Sequence, residues 1–253
     1  MRNFVVYGLG QLGQLFGAGA LRAGVRVTPI TRTTDQAEVW ASVEEGTPIL
    51  VGVGETQLHD VLLSIPAARR DHVMLVQNEL FPKTWRAAEV STPTNGIVWL
   101  SKKKGRPVEI ARPSTLHGPH AAFFAELHDA LDLPHETVDD AGLHRLLVAK
   151  FAFILGINTL GLVENLTLGA WLDKDESLVD AVLHDAVVLG QAHLEDQVDA
   201  AQAVAEAKEA MRNLAHYPAK GRTAAARLAR ALDDAEAMAL QLEAFAKVAA
   251  QAS

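Results

Sequence analysis

Three glycines close to the start of the chain have the spacing of a phosphate-binding turn. They lie in a six-residue segment between a short apolar run and a helical pattern, and its members are Gly8, Leu9, Gly10, Gln11, Leu12 and Gly13. The first glycine allows a tight turn, the second lets the backbone approach a pyrophosphate, and the third lets helix and strand pack closely. The helix N-terminus then offers N–H groups to the phosphates. This spacing also occurs in turns that bind nothing, but its strand–turn–helix setting predicts a dinucleotide site.

The segment after the second predicted strand indicates which cofactor the site prefers. An NAD site usually carries an Asp or Glu there, which binds the ribose hydroxyls. This chain has Arg32 between threonines at that point, and Asp35 follows slightly later. A carboxylate would repel the 2′-phosphate of NADPH, whereas Arg32 can pair with it through two hydrogen bonds. Asp35 is the rival signal for NADH, but the segment predicts NADPH.

Lys150 is the second residue whose surroundings suggest chemistry. It lies in a predicted helix that is apolar on almost every side from Leu146 to Ile157, which is typical of a buried helix. A buried ammonium is costly unless it faces a cleft, meets an anion or has a lowered pKa, and each of these suits an acid–base catalyst. The alternative is a lysine that reaches the surface along its aliphatic stem, and spacing alone favours neither. Asn158, about two turns further on, can address the same cleft.

The elements that must position these residues fall into two groups. The first half alternates short apolar runs with helical patterns, which predicts a mostly parallel sheet with helices on both faces. Beyond residue 137 strand signals vanish and Ala, Leu, Glu and Asp dominate. We therefore expect an α/β domain over 1–137 and an all-helical domain over 138–253, with a ligand cleft between them. The predicted strands are 4–7, 25–30, 49–53, 73–77, 96–100 and 107–111; the predicted helices are 11–23, 59–65, 120–131, 141–160, 176–194, 200–214 and 223–250.

Composition excludes several classes of function. The net charge of −8 argues against a nucleic-acid partner or an anionic membrane surface. The absence of cysteine excludes disulfides, thiolate zinc sites and iron–sulfur clusters. The closest histidines, His117 and His120, have no further ligand in view, so no metal is predicted. No apolar run has the length of a membrane span, and we expect a cytoplasmic protein.

With these residues in place, the whole chain resembles the ketopantoate reductases. Members of that family reduce 2-dehydropantoate to pantoate with NADPH during pantothenate biosynthesis. The resemblance is carried by the glycine turn from Gly8 to Gly13, by Arg32, and by Lys150 with Asn158 eight residues later. It implies a Rossmann-type sheet domain followed by an all-helical domain, the arrangement also called 6-phosphogluconate dehydrogenase-like.

The resemblance also implies roles for individual residues. Lys150 falls at the position of the family's catalytic lysine, the proton donor to the substrate carbonyl, and Asn158 matches a position that contacts substrate. Asn78 resembles an asparagine near the nicotinamide. In the last predicted helix, Glu236 corresponds to the family's active-site glutamate. The serine that holds the substrate carboxylate in the family is either displaced to Thr223 or replaced by Ala224 in this chain.

The chain departs from the family pattern at several polar positions. Glu79 replaces a glycine, Gly54 and Glu55 stand where a lysine is usual, and Ile154 replaces an asparagine. Lost polar contacts change substrate recognition sharply. The leading hypothesis is therefore an NADPH-dependent reductase of a small carbonyl compound, a 2-oxo acid such as 2-dehydropantoate. The alternatives are a non-catalytic or weakly catalytic NADPH-binding sensor and a reductase of a more apolar ketone or imine. A homodimer formed through the alanine-rich last helices is a further hypothesis, although core packing explains the same pattern.

Overall fold

The computed structural model describes residues 2–252, and the chain divides into two compact units, one ending at Leu143 and the other beginning at His144. The assignment of one unit to the nucleotide and the other to the substrate stays a prediction. The elements of the first unit are β1 (Asn3–Tyr7), α1 (Gln11–Arg22), β2 (Arg26–Ile30), α2 (Gln36–Ser42), β3 (Ile49–Val51), α3 (Leu58–Ser64), β4 (Val73–Leu75), α4 (Pro82–Arg86), β5 (Thr94–Ile97), β6 (Leu100–Lys102), β7 (Val108–Ile110), β8 (Ser114–His117), α5 (Ala121–Asp129) and β9 (His135–Thr137).

The first unit is built on a seven-stranded sheet with the order β2-β1-β3-β4-β5-β8-β9. Strands β1 to β5 are parallel to one another, β8 is antiparallel to β5 and parallel to β9, and β6 and β7 form a separate hairpin. The predicted mostly parallel sheet is therefore confirmed. Strand β2 lies on one side of β1, and β3 and β4 lie on the other side. The strand order therefore reverses between β1 and β3. In open α/β sheets, ligands bind outside the carboxyl ends of the strands at such a point.

Alternation along the strands gives the sheet two apolar faces. Phe4 and Val6 point to one face, where they pack with Phe16 of α1 and Phe124 of α5 in a single core cluster. The rings of Phe16 and Phe124 meet edge to face with centroids 4.8 Å apart. This packing holds α1 against β1, and so it fixes the turn that joins them.

The second unit contains helices α7 (Leu168–Lys174), α8 (Glu176–Leu194), α9 (Ala200–Asn213), α10 (Ala224–Ala237) and α11 (Glu243–Ala252), together with most of α6 (Asp140–Val163). The all-helical composition is as predicted. Helix α6 is long and apolar enough to cross a membrane, but 78% of its most apolar stretch is buried within the protein. A helix in the core of a protein has the same character.

The expectation of one helix over 223–250 is wrong, because the structure contains two. Helix α10 ends at Ala237, Ala239 adopts a left-handed conformation with φ of 54°, and α11 begins at Glu243. The carboxylate of Asp185, on α8, accepts hydrogen bonds from the N–H groups of Ala244 and Phe245 at 2.8 and 3.1 Å. The start of α11 is therefore capped by a side chain that is distant in sequence.

Candidate functional site

The glycine turn joins the carboxyl end of β1 to the start of α1. Gly8 has a φ of +92°, and its N–H donates to the carbonyl of Ile30 at 2.9 Å. A Cβ atom added to Gly13 would lie 2.0 Å from the carbonyl oxygen of Gly8. Side chains do not fit at such a distance, so the close approach of helix and strand requires glycine at position 13.

A further glycine, which the sequence analysis missed, completes this turn. Gly52 follows β3, its N–H donates to the carbonyl of Tyr7 at 2.7 Å, and a Cβ atom there would lie 2.9 Å from the oxygen of Gly8. The signal for it was a glycine inside the predicted strand 49–53, where glycine often marks a close approach of another backbone segment. Gly8, Gly13 and Gly52 form what we call the glycine cradle.

The glycine cradle fits a dinucleotide pyrophosphate. Gly10 occupies the N-cap position of α1, and no side chain among residues 2–252 caps this helix there. The backbone N–H groups of its first turn are therefore presented by a bare main chain with the positive end of the helix dipole. The turn lies where the strand order reverses, at the carboxyl edge of the sheet.

Arg32 lies in the turn after β2, at the same edge, and is exposed. The hydroxyl of Thr31 lies 3.3 Å from that of Thr33 and 3.0 Å from that of Thr34, so the threonines around Arg32 form a hydrogen-bonded group. Asp35 is the N-cap of α2, and its Oδ1 accepts from the N–H groups of Ala37 and Glu38 at 2.9 and 3.4 Å. The rival signal for NADH is thus a carboxylate that caps a helix.

Asn78 follows β4, also at the carboxyl edge. Its Nδ2 donates to Oε1 of Glu55 at 3.2 Å. Next to it, Gln77 donates from Nε2 to the carbonyls of Val51 and Val53 at 2.7 and 3.1 Å. These bonds fasten the end of β4 to the end of β3. The position of Asn78 is therefore determined by Gln77 and Glu55, neither of which was assigned a role from the sequence.

In the second unit, Lys150 is buried on α6, with 8% of its surface exposed. Its Nζ lies 5.6 Å from the ring centroid of Phe153, within the range of a cation–π contact. Burial lowers the pKa of Lys150 from its ordinary value of 10.5 to about 7, because the charged form loses its hydration. A lysine with this pKa can donate or accept a proton near neutral pH.

Asn158 lies on α6 and is buried, with its carboxamide engaged at both ends. Its Nδ2 donates to the carbonyl of Ile154 at 2.7 Å, and its Oδ1 accepts from the N–H of Gly221 at 3.0 Å. A Cβ atom on Gly221 would lie 2.6 Å from Oδ1 of Asn158, and one on Gly161 would lie 2.4 Å from the nitrogen of Lys220. Asn158 therefore holds the segment before α10 closely against α6.

Two predicted site residues, Thr223 just before α10 and Glu236 near its end, are both exposed. Thr223 accepts a hydrogen bond from Nε of Arg227 at 3.0 Å. Glu236 lines a groove beside the turn between α10 and α11, together with Leu232, Ala235 and Leu240. The roles of Glu236 and Thr223 stay predictions.

Two groups of predicted residues are thus brought together, one in each unit. The glycine turn, Arg32 and Asn78 share the carboxyl edge of the sheet in the first unit. Lys150 and Asn158 share α6 in the second. Across residues 2–252, no group of three or more His, Asp or Glu side chains has the arrangement of a metal site. His120 instead lies 3.1 Å from His72 between their ring nitrogens.

No family model and no curated protein sequence matches the chain, but solved structures resemble it over nearly its whole length. Two structures of D-mandelate dehydrogenase, one with NADH and one with NADH and anilino(oxo)acetate, have TM-scores of 0.67 and 0.68 and are 13% and 12% identical. In both, the match covers 99% of this chain and 97% of that chain.

Two reductases give a similar result. The 2-dehydropantoate 2-reductase from Methylococcus capsulatus has a TM-score of 0.67 at 14% identity, covering 98% of this chain and 94% of that chain. The dimeric ketopantoate reductase from Staphylococcus aureus has a TM-score of 0.61 at 16% identity, covering 99% and 98%. The chain therefore has the fold of the ketopantoate reductases, as its motifs implied.

Proposed function

We propose that the protein is an NADPH-dependent reductase of a small carbonyl compound, a 2-oxo acid. The observation that carries the proposal is the glycine cradle, because Gly8, Gly13 and Gly52 lie too close for side chains and leave a bare helix N-terminus at the carboxyl edge of a parallel sheet. Such an arrangement binds the pyrophosphate of a dinucleotide. The similarity to D-mandelate dehydrogenase solved with NADH supports the same class of cofactor.

Arg32 supports the choice of NADPH over NADH. Its guanidinium is exposed at the end of β2 beside hydroxyl groups that can add hydrogen bonds to a 2′-phosphate. Asp35 caps α2 and so has a structural role that accounts for its presence there. When bound, NADPH supplies the hydride that reduces the carbonyl carbon.

Lys150 is the proton donor in the proposed reaction. As the carbonyl carbon is reduced, negative charge develops on its oxygen, and the ammonium of Lys150 neutralises it by giving up a proton. A pKa of about 7 makes that transfer favourable near neutral pH. Asn158 supports this site by holding the segment around Gly221 on α6. Its direct contact with substrate stays a prediction, as do a cytoplasmic location and a homodimer.

One observation favours a 2-oxo acid with an apolar substituent over 2-dehydropantoate itself. Ile154 and Ile157 lie one and two turns after Lys150 on the same face of α6, and both are partly exposed while most of their neighbours are buried. The proton donor is therefore bordered by apolar surface where the family has an asparagine. The neighbour solved with anilino(oxo)acetate, an aryl-substituted oxo acid, supports the same direction.

The proposal is tested by following NADPH oxidation with 2-dehydropantoate and a panel of alkyl and aryl 2-oxo acids. We expect turnover with at least one of them, and a loss of about a hundredfold or more in kcat for Lys150→Met. In parallel titrations, Arg32→Ala weakens NADPH binding about ten- to a hundredfold and leaves NADH unchanged. Tight NADPH binding with no turnover would instead indicate a sensor, and equal affinity for NADH and NADPH in the native protein would overturn the cofactor assignment.

A further inference from the structure

The strand order predicts that the adenosine half and the nicotinamide half of a bound dinucleotide lie on opposite sides of β1. Arg32 follows β2, which lies on one side of β1, whereas β3 and β4 lie on the other. The glycine cradle lies between these sides, because it joins the ends of β1 and β3. If Arg32 binds the 2′-phosphate of the adenosine half, the nicotinamide half extends over the ends of β3 and β4.

Glu55 lies at that second side. It follows Gly52 by three residues and begins a short 3-10 turn, Glu55–Gln57. Its Oε1 accepts from Nδ2 of Asn78, the residue that the resemblance places near the nicotinamide. Gln77 ties the end of β4 to that of β3, so both partners are held at the same edge. Glu55 is partly exposed, and its hydrogen bond with Asn78 places its carboxylate beside the residues that follow β4.

The charge of Glu55 matters because the two redox forms of the cofactor differ in charge at one place. The nicotinamide ring is cationic when oxidised and neutral when reduced. A carboxylate within several ångströms attracts the cationic form and has little effect on the neutral one. A cationic side chain at the same place would have the opposite effect.

We propose that Glu55 determines which redox form of the cofactor this site prefers, and that it shifts the preference toward NADP⁺. This inference rests on the proposed function. With Glu55 in place, oxidation of a bound 2-hydroxy acid by bound NADP⁺ is more favourable than it would be in a variant with lysine at position 55. In that direction the alcohol C–H bond breaks as hydride leaves to NADP⁺, and the alcohol proton passes to neutral Lys150. The products are the 2-oxo acid, NADPH and a proton.

The test compares the dissociation constants of NADP⁺ and NADPH for the native protein, Glu55→Gln and Glu55→Lys, by calorimetry and by NADPH fluorescence. Glu55→Gln keeps a side-chain oxygen for the bond from Asn78 but removes the charge. We expect it to weaken NADP⁺ binding about five- to tenfold relative to NADPH, and Glu55→Lys to shift the ratio further the same way. Asp60→Asn, at an exposed position of α3, is the matched control, because it removes the same charge from a side chain five residues further along the chain.

Each result has a distinct meaning. A ratio that stays the same in Glu55→Gln, or changes equally in Asp60→Asn, overturns the inference while the proposed function stands. If neither redox form binds the native protein, the proposed function itself fails. Circular dichroism of each variant shows that any change in affinity is measured on folded protein.

Discussion

At the scale of single residues, the same side chain can signal two different functions, and its hydrogen bonds decide between them. Asp35 stands near the position where an NAD site carries a carboxylate. Its Oδ1 accepts from the N–H groups of Ala37 and Glu38, so it begins α2. The sequence could not distinguish these roles, because an Asp before a helical pattern and an Asp after a strand coincide at this position. Arg32, three residues earlier, is exposed, as Asp35 is, but the Asp35 carboxylate already accepts two backbone hydrogen bonds.

Lys150 leads to a prediction about the pH dependence of reduction. Only the ammonium form can give a proton to the carbonyl oxygen, and its pKa is lowered to about 7 by burial. We therefore expect kcat/KM for reduction to be level below this pKa and to fall about tenfold per pH unit above it. The profile is measured from pH 5.5 to 10 with NADPH saturating.

The reverse reaction provides an internal control for this prediction. Oxidation of the hydroxy acid needs the neutral amine, so its kcat/KM rises through the same pKa. An ordinary lysine, with a pKa near 10.5, would give a reduction profile that stays level to about pH 10. A profile level to pH 9 would therefore show that Lys150 is not the proton donor, or that it is hydrated.

At the scale of elements, local signals predicted what depends on local residues. The glycine turn, β1, α1 and α8 could be located because their strand, helix and cap signals lie within each segment. The break between α10 and α11 could not. Its left-handed residue is Ala239, where glycine is the usual signal, and the cap of α11 is Asp185 from another helix. Contacts made across long stretches of chain leave no pattern in the segment they affect.

The junction between β1 and α1 leads to a prediction about two glycines. Gly13→Ala places a methyl group 2.0 Å from the carbonyl oxygen of Gly8, so the helix must move away from the strand. We expect this variant to lose about 2 kcal/mol or more of unfolding free energy and most of its NADPH affinity. Urea unfolding and NADPH titration measure the two effects.

Gly54→Ala is the matched control for this variant. A Cβ atom at position 54 would meet nothing within 4 Å, and its φ of −69° suits any residue. Its stability should stay within about 0.5 kcal/mol of the native protein. If both variants bind NADPH like the native protein, the glycine cradle is not a cofactor site.

At the scale of the whole molecule, the first unit gathers its candidate site from segments that are far apart in sequence. Gly8, Arg32, Gly52, Glu55 and Asn78 reach one edge because β1, β2, β3 and β4 are parallel neighbours in the sheet. Gly8, Arg32 and Asn78 could each be identified from the sequence, one at a time. The contacts of Gly52 with Gly8 and of Glu55 with Asn78 depend on strand order, so they could be found only in the folded chain.

The burial of Lys150 also affects the stability of the whole protein, and the direction of that effect can be tested. Because the pKa of Lys150 is lowered from 10.5 to about 7 by folding, the folded chain binds a proton at Lys150 less tightly than the unfolded chain does. Above pH 10.5 neither state is protonated there, and Lys150 costs the folded state no free energy through its charge. As the pH falls from 10.5 toward 7, this cost grows by about 1.4 kcal/mol per pH unit, and it levels off below pH 7.

Lys150→Met removes this penalty while retaining an unbranched apolar side chain. We expect the variant to exceed the native protein in unfolding free energy by about 4 kcal/mol at pH 7, and the difference to shrink by pH 10. Urea unfolding at both pH values measures it, and Lys104→Met on the exposed hairpin turn is the control that should show no such difference. Equal stability of Lys150→Met and the native protein at pH 7 would mean that the ammonium is hydrated. A variant that is more stable but inactive would show that this chain retains a costly buried charge because its chemistry requires one.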